Sequence, residues 1–240
     1  MFKKITVLNT NIHTGKKLLP MNSYNFVEKS HIVSLMVNEF TMAAPVYPIV
    51  FIKDGDMLKP FALLGLKQNE NLFVGNNGQW QAEYIPATIR RYPFILGKTE
   101  ARDDLALCID EESEFLSDEE GNPLFDQDGK PTQIIENAKK YLSDLHSYSE
   151  LTNRFCKELA DWELLSPINI QVQKKVKGQD NPPLNIEGCF GVNEKNFNDL
   201  SDEVFLEIRK RGALPLIYAH LMSLLQTGRL ARLQREKDNA

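Results

Sequence analysis

The chain has 240 residues, of which 28 are Lys or Arg, 33 are Asp or Glu and 42% are hydrophobic. This length suffices for a full hydrophobic core, and this composition excludes wholesale disorder, collagen and coiled coil. The net charge of −5 argues against a dedicated nucleic-acid-binding protein, whose domains usually carry a basic face. The three cysteines are far apart and form no CxxC motif, which excludes a disulfide framework and favours a reducing compartment.

The amino-terminal segment does not fit a secretory signal peptide. Lys3 and Lys4 precede an apolar stretch at residues 5–8 only, whereas a signal peptide needs roughly 7–15 apolar residues. The longest apolar runs, 42–52 and 213–225, are interrupted by Pro or His and are shorter than the ~20 residues that cross a bilayer. We therefore expect a cytoplasmic protein without membrane insertion.

Residues 1–98 are predicted to be mainly β-strands. Residues 5–8, 31–39, 48–53 and 61–66 are rich in β-branched or apolar residues, and Asp54-Gly55 is a preferred hairpin turn between the last two. A second hairpin is predicted from 71–74 through Asn77-Gly78 to 79–85. Adjacent hairpins favour an antiparallel, twisted sheet over parallel βαβ units.

Residues 99–131 are predicted to form an acidic connection. Twelve acidic residues and one basic residue lie between Glu100 and Asp128, which leaves 27 basic and 21 acidic residues elsewhere. Residues 105–109 have the pattern of one more strand within this segment. Two interpretations of the acidic residues stay open: a solvated loop, or a docking surface for a basic partner.

Residues 132–233 are predicted to be mainly helical, with a β-hairpin near 168–192. Apolar residues keep helical spacing from Thr132, a plausible N-cap, to 165, as one kinked helix or as an αα-hairpin. Further helices are predicted at 202–210 and 216–233. The predicted fold is α+β: one domain over residues 1–240, with an amino-terminal antiparallel sheet covered by carboxy-terminal helices.

The sequence lacks the common motifs of metal, nucleotide and nucleophilic sites. The four histidines show no metal spacing, and neither GxSxG, GxGxxG nor GxxxxGK[ST] occurs. The DQDG stretch at 126–129 fails the EF-hand pattern, because positions 1 and 12 fall on Leu124 and Ile135. We expect a turn there, a hydrogen-bonded core histidine at His220, buried cysteines, and neither a metal nor a cofactor.

The segment 80–94 is unusual because aromatic residues, prolines and adjacent arginines alternate within it. Aromatic and arginine side chains together are typical of recognition surfaces, since they offer large contact area and forked hydrogen-bond donors. The candidate ligand-binding residues are Trp80, Tyr84, Arg90, Arg91 and Tyr92.

A purely structural interpretation of the same segment stays open. In it, Trp80, Tyr84 and Phe94 belong to the core, and Arg90 or Arg91 pairs with an internal carboxylate such as Glu39. The two interpretations differ in whether the guanidinium groups are free to meet a ligand.

A series of short blocks in a specific order resembles the bacterial SapC family. The blocks are YPIVF (47–51), LLGL (63–66), NLFV (71–74), GQW (78–80), YIPA (84–87), RRYPF (90–94), LFDQDG (124–129) and YAHLMSL (218–224). The resemblance spans about residues 1–233. It implies an accessory role linked to a bacterial surface layer and its secretion apparatus, and no established catalysis. Relatives are encoded near flavin-dependent halogenase-like and cupin-like oxygenase proteins. This neighbourhood implies an accessory role in the processing or assembly of surface or imported molecules.

Three hypotheses about function follow. The favoured one is a non-catalytic peptide- or partner-binding protein, with Trp80 and Tyr84 stacking and the arginines binding a carboxylate. The second is an enzyme, or an enzyme partner of a halogenase or oxygenase, whose pocket gathers His31, Glu39, Arg91 or His220. The third is a structural subunit of an oligomer, with residues 111–120 as the contact.

Overall fold

The computed structural model describes residues 1–99, 102–172, 175–176, 179–180 and 184–239. The strands are β1 (Ile5–Val7), β2 (Lys17–Leu18), β3 (Ile32–Ser34), β4 (Ile49–Asp54), β5 (Met57–Leu63), β6 (Phe94–Thr99), β7 (Arg102–Asp110), β8 (Leu116–Ser117), β9 (Asn122–Pro123), β10 (Leu165–Val172), β11 (Lys175–Val176), β12 (Gln179–Asp180) and β13 (Leu184–Val192). The helices are α1 (Thr10–His13), α2 (Phe40–Ala43), α3 (Ala87–Arg90), α4 (Gln133–Asp161), α5 (Glu194–Asn198), α6 (Asp202–Lys210), α7 (Leu214–Ser223) and α8 (Thr227–Asp238). Short 3₁₀ turns occur at Asn25–Val27, Val37–Glu39 and Leu224–Gln226.

The larger sheet has the strand order β10-β13-β4-β5-β3, and its neighbouring strands are antiparallel. β4 and β5 form the predicted hairpin, in which Asp54 pairs with Met57. Gly55 in its turn has a φ of +63°, a left-handed conformation that glycine adopts without strain. β10 and β13 form the hairpin predicted near 168–192, although part of its turn lies outside the described residues. The antiparallel, hairpin-based α+β fold is thereby confirmed.

The smaller sheet has the order β1-β7-β6 and is also antiparallel. β7 confirms the strand predicted at 105–109 and extends it in both directions. The acidic connection is therefore partly a central strand rather than only a loop. After β7, the chain adds β8 and β9 on either side of β2.

Helix α4 connects the two hydrophobic cores of the molecule. It has 29 residues and is about 43 Å long. Leu142 and Leu145 in its first half lie in a cluster with Ile109 of the smaller sheet. Phe155 and Leu159 in its second half lie in the cluster that covers the larger sheet. One continuous helix is observed, so the αα-hairpin alternative is wrong.

The hairpin predicted over 71–85 is confirmed only around its turn, where Val74 forms an antiparallel bridge with Trp80 and the backbone N–H of Gln81 donates to Phe73 O at 2.8 Å. The Asn71 side chain accepts a hydrogen bond from the backbone N–H of Phe73 at 2.9 Å, and Asn77 does the same for Gln79 at 3.1 Å. These local bonds compete with a ladder between strands. The segment turns instead, and then forms α3.

Two other predicted elements are shorter than expected. The strand predicted at 31–39 is confirmed only over β3, because the Glu39 carboxylate accepts a hydrogen bond from Met36 N and caps a 3₁₀ turn. The helix predicted at 216–233 is divided into α7 and α8 by the 3₁₀ turn Leu224–Gln226. In the described parts of the chain, no helix combines the length and the apolar character that crossing a bilayer requires.

Candidate functional site

Glu39 organises the corner where the segment 80–94 approaches helix α4. This carboxylate is 2% exposed. Its Oε1 accepts hydrogen bonds from the Tyr84 hydroxyl and from the Ala87 backbone N–H, both at 2.7 Å, and its Oε2 accepts one from Met36 N at 2.9 Å. Such bonds satisfy a buried carboxylate without a cation. The alternative in which Arg90 or Arg91 holds Glu39 is therefore wrong.

Trp80 lies on the side of Tyr84 that faces the larger core. Its indole Nε1 donates to the Tyr47 hydroxyl oxygen and to the Tyr84 carbonyl oxygen, both at 3.0 Å. One ring face stacks on Phe73 at 6.1 Å between centroids, and Tyr24 packs edge-on at 5.6 Å. These partners hold Trp80 as part of the core wall.

Tyr84 lies between Glu39 and Arg90. Burial raises the pKa of its hydroxyl, and the hydrogen bond to the Glu39 carboxylate raises it further. Its ring is also 5.9 Å from the guanidinium carbon of Arg90. The hydroxyl thus stays protonated and donates to Glu39 over the physiological pH range.

Tyr92 is 4% exposed and belongs to an aromatic cluster. Its ring stacks on Phe26 at 4.1 Å, with Phe2 at 5.3 Å and Phe115 at 6.1 Å. Its hydroxyl donates to Asp110 at 3.1 Å, and burial raises its pKa to about 12. Tyr92 is in contact with these partners rather than with solvent.

Arg90 is exposed at the carboxy-terminal end of α3. Its Nε donates to the Ile85 carbonyl oxygen at 3.0 Å. The guanidinium carbon lies 5.6 Å from the ring centroid of Tyr141 on α4, in addition to its contact with Tyr84. These contacts orient the side chain, and among the described residues no carboxylate lies within 4.0 Å of its guanidinium.

Arg91 differs from its neighbour because its guanidinium is largely buried. Its Nε is shielded from solvent and has no hydrogen-bond partner. Burial lowers the pKa of the group, and its guanidinium carbon lies 5.5 Å from the ring centroid of Phe2. No ion pair joins it to a carboxylate of the described residues. Its charge is therefore only weakly compensated.

Arg91 forms part of the wall of a cleft between α4 and the smaller sheet. The cleft has a volume of about 190 Å³. Its other wall residues are Met36, Ile95, Leu96, Leu105, Leu142, Leu145, His146 and Ser149. The cleft thus combines apolar side chains with one largely buried cation and two polar side chains.

The structure divides the five predicted ligand-binding residues into three environments. Trp80 lies in the larger core, Tyr92 lies in the aromatic cluster, and Tyr84, Arg90 and Arg91 lie at the corner and the cleft. Their role in binding stays a prediction. The 80–94 segment does not by itself show the contribution of α4, although Tyr141 and Leu145 are four residues apart and therefore share one face of that helix.

His220 and the cysteines have the structural roles that their sequence context predicts. His220 Nε2 accepts a hydrogen bond from Val192 N at 3.0 Å, and burial lowers the pKa of the imidazole to about 4. Cys108, Cys156 and Cys189 are buried and free. Within the described residues, no cluster of three or more His, Cys, Asp or Glu side chains is arranged to hold a metal.

The residues proposed to form an enzyme pocket have separate partners. His220 contacts β13 and lies edge-on to Phe51 at 5.1 Å. Glu39 instead bonds to Met36, Tyr84 and Ala87. The bonds of these two groups therefore do not join them in one site.

A family comparison assigns the chain as a whole. The model of the SapC family matches residues 8–230. The chain belongs to the SapC family. No curated protein and no solved structure matches it.

Two of the blocks that carry the SapC resemblance have different roles in the fold. The YAHLMSL block lies mostly in α7, where the Ser223 hydroxyl accepts a hydrogen bond from Ile49 N at 2.9 Å and His220 accepts one from Val192 N. It thereby joins α7 to the larger sheet. The RRYPF block supplies both the buried ring of Tyr92 and the guanidinium of Arg91. Of these two blocks, RRYPF provides a side chain to the cleft.

Proposed function

We propose that this SapC protein is a non-catalytic accessory protein that binds an anionic peptide or protein segment at Arg90 and Arg91. The observation that carries the proposal is the largely buried Arg91 guanidinium, which lies at the wall of a cleft and pairs with no carboxylate of the described residues. Burying a cation is unfavourable unless an anion or several acceptors compensate it. A ligand carboxylate supplies that compensation.

Arg90 supports the same proposal from the surface. Its contacts with the rings of Tyr84 and Tyr141 hold the guanidinium beside α4. An arginine oriented in this way loses less side-chain entropy when it binds a carboxylate. Arg90 would attract and orient the anionic segment, and Arg91 would bind the part that enters the cleft.

The biological setting of this binding is part of the proposal. Membership of the SapC family is the basis for placing the protein in surface-layer or outer-surface protein biogenesis and secretion. The protein would act in the cytoplasm, on material before its export. The ligand would then be a segment of an exported protein or of another component of the assembly.

A direct test uses labelled short peptides in anionic, neutral and cationic sets, with binding to the full chain followed by fluorescence anisotropy. We expect the anionic set to bind, and the double variant Arg90→Ala/Arg91→Ala to bind it at least about tenfold more weakly. The matched control is Arg209→Ala/Lys210→Ala, which removes the same charge from exposed positions of α6.

The control separates a specific site from a general charge effect. The proposal requires the control variant to bind like the original protein. It fails if the arginine double variant folds normally and binds anionic peptides unchanged. It also fails if both double variants lose the same affinity.

A further inference from the structure

The cleft beside Arg91 has a cation at one place, and polar and apolar groups share the remaining wall. Leu142 and Leu145 come from one face of α4, while Ile95 and Leu96 come from β6. Apolar walls favour an apolar group by removing its surface from water. The Arg91 guanidinium at the wall, which pairs with no carboxylate of the described residues, favours a ligand group that carries negative charge. One ligand can contact both the guanidinium and the apolar side chains only if its anionic group and its apolar group are close together.

The size of the cleft limits the ligand further. Its volume of about 190 Å³ is slightly larger than the ~150 Å³ apolar cavity that holds benzene in an engineered protein. It is smaller than the ~300–1,000 Å³ of sites for drug-sized ligands and cofactors. The space therefore fits one side-chain-sized group rather than a nucleotide, a flavin or a folded peptide.

Carboxylate chemistry matches the charged part of the cleft better than a larger anion does. A guanidinium binds a carboxylate through parallel N–H···O bonds in one plane. His146 and Ser149 at the wall add side chains that donate or accept further hydrogen bonds. A phosphate with its shell of water needs more donors than the apolar wall supplies.

We propose that the Arg91 cleft binds a carboxylate that carries a short aliphatic group. This proposal rests on the proposed function and specifies which part of the anionic ligand enters the cleft. Two sources offer this chemistry: the carboxy-terminal residue of a peptide that ends in a residue such as leucine, and a free branched short-chain acid. Arg91 binds the carboxylate, and Leu142 and Leu145 contact the aliphatic group.

The first arm of the test uses N-acetyl-leucine and its amide, N-acetyl-leucinamide, titrated into the full chain and followed by NMR chemical shifts. We expect the carboxylate to bind at least about tenfold more tightly than the amide, because only the carboxylate pairs with the guanidinium. Equal binding of the acid and the amide would show that the proposal is wrong.

The second arm uses variants of the cleft. Arg91→Met keeps most of the buried hydrocarbon and removes the charge, and Ser149→Phe fills the cleft from a half-buried position on α4. Each should abolish binding of N-acetyl-leucine, whereas Arg209→Ala should leave it unchanged. If either cleft variant keeps the fold and binds the acid normally, the site is elsewhere.

The third arm distinguishes the two sources. A short peptide ending in leucine is compared with 4-methylpentanoate, the free acid with the same branched tail. Tighter binding of the peptide assigns the cleft to a protein carboxy terminus, and tighter binding of 4-methylpentanoate assigns it to a free acid. If neither compound binds, the proposal is overturned.

Failure of this proposal is distinguishable from failure of the proposed function. Suppose anionic peptides with amidated ends still bind in a manner that depends on Arg90 and Arg91, while N-acetyl-leucine does not. Then the terminal-carboxylate proposal is wrong and the proposed function stands. If anionic peptides and N-acetyl-leucine both fail to bind, both proposals are wrong.

Discussion

Asp110 bonds to Tyr92 and Pro93, and Arg91 precedes them in the chain; the two groups carry opposite charges, but their surroundings differ. Asp110 is 0% exposed. Its carboxylate accepts hydrogen bonds from Lys3 N at 3.0 Å, Lys4 N at 2.8 Å and the Tyr92 hydroxyl at 3.1 Å. Arg91 has a buried Nε with no such partner. Complete hydrogen bonding marks Asp110 as part of the architecture, whereas Arg91 is the residue on which the proposed ligand site rests.

The difference between these two groups has a physical basis. A buried charge whose hydrogen bonds are satisfied stabilises one geometry, since moving any partner leaves an unpaired polar group. A buried charge without partners destabilises the free protein and gains most from an added anion. The two groups therefore predict opposite signs for the effect of substitution on stability.

The largest expected effect is that of Asp110→Ala. The substitution removes the acceptor that fixes the start of β1 to the end of β7, and it takes one hydrogen-bond partner from the buried Tyr92 hydroxyl. We expect a loss of about 3 kcal/mol in the free energy of unfolding, measured by urea denaturation. Asp118→Ala is the control, because that exposed carboxylate pairs with Lys16 at the surface and its loss should cost under about 1 kcal/mol. Equal losses would contradict the role of Asp110.

His220 is a third buried titratable group, and it differs from Asp110 and Arg91 because burial keeps its imidazole uncharged at neutral pH. The folded protein holds its pKa at about 4, whereas in the unfolded chain the pKa is about 6.5. Unfolding at acidic pH therefore takes up a proton. The contribution of His220 to stability is complete above pH ~6.5 and decreases as the pH falls towards ~4, by about 3 kcal/mol in total.

The measurement for His220 is urea denaturation at a series of pH values between ~4 and ~7. His220→Gln should flatten the pH dependence in this window. His146→Gln, at an exposed position, should keep the slope of the original protein. An unchanged slope in His220→Gln would show that the imidazole is not the group responsible.

The smallest expected effect, and one of opposite sign, is that of Arg91→Met in the free protein. Removing the largely buried and unpaired charge should raise the free energy of unfolding by about 1 kcal/mol, with part of the gain offset by the lost contact with the Phe2 ring. Urea denaturation measures the change. Arg211→Met is the control and should lower stability, because Arg211 pairs with Glu158 and Glu207. If Arg91→Met destabilises the protein as Arg211→Met does, Arg91 is a structural group.

Much of the fold was predictable because its signals are local. Asp54-Gly55 places a hairpin turn between two apolar runs, and the spacing from Ile134 to Leu159 describes a helix that buries one face. The buried cysteines and the core role of His220 followed from their apolar neighbours. The ordered blocks were specific enough to predict the SapC family, which the family model confirms.

The strands that are shorter than predicted depended on hydrogen bonds between side chains and the backbone, which hydrophobic periodicity does not show. The side chains of Asn71 and Asn77 bond to nearby backbone groups, and the predicted hairpin is reduced to its turn and a single bridge. Glu39 ends the strand predicted at 31–39 by capping a 3₁₀ turn, and its partners Tyr84 and Ala87 are distant in sequence. Whether a strand continues past a polar residue or ends there thus depends on the hydrogen-bond partners of that side chain in the folded protein.

The sequence by itself determined the antiparallel class of the sheet, the long helix, the family and the segment that contains the arginines, because each depends on residue order and periodicity. Only the tertiary structure decided which of those arginines is exposed, which is buried, and which helix completes the cleft. Arg90 and Arg91 are adjacent in the chain, yet one contacts the rings of Tyr84 and Tyr141 at the surface and the other lines an apolar wall. Burial and pairing arise from residues brought together across the chain, and these set the energy of each charge.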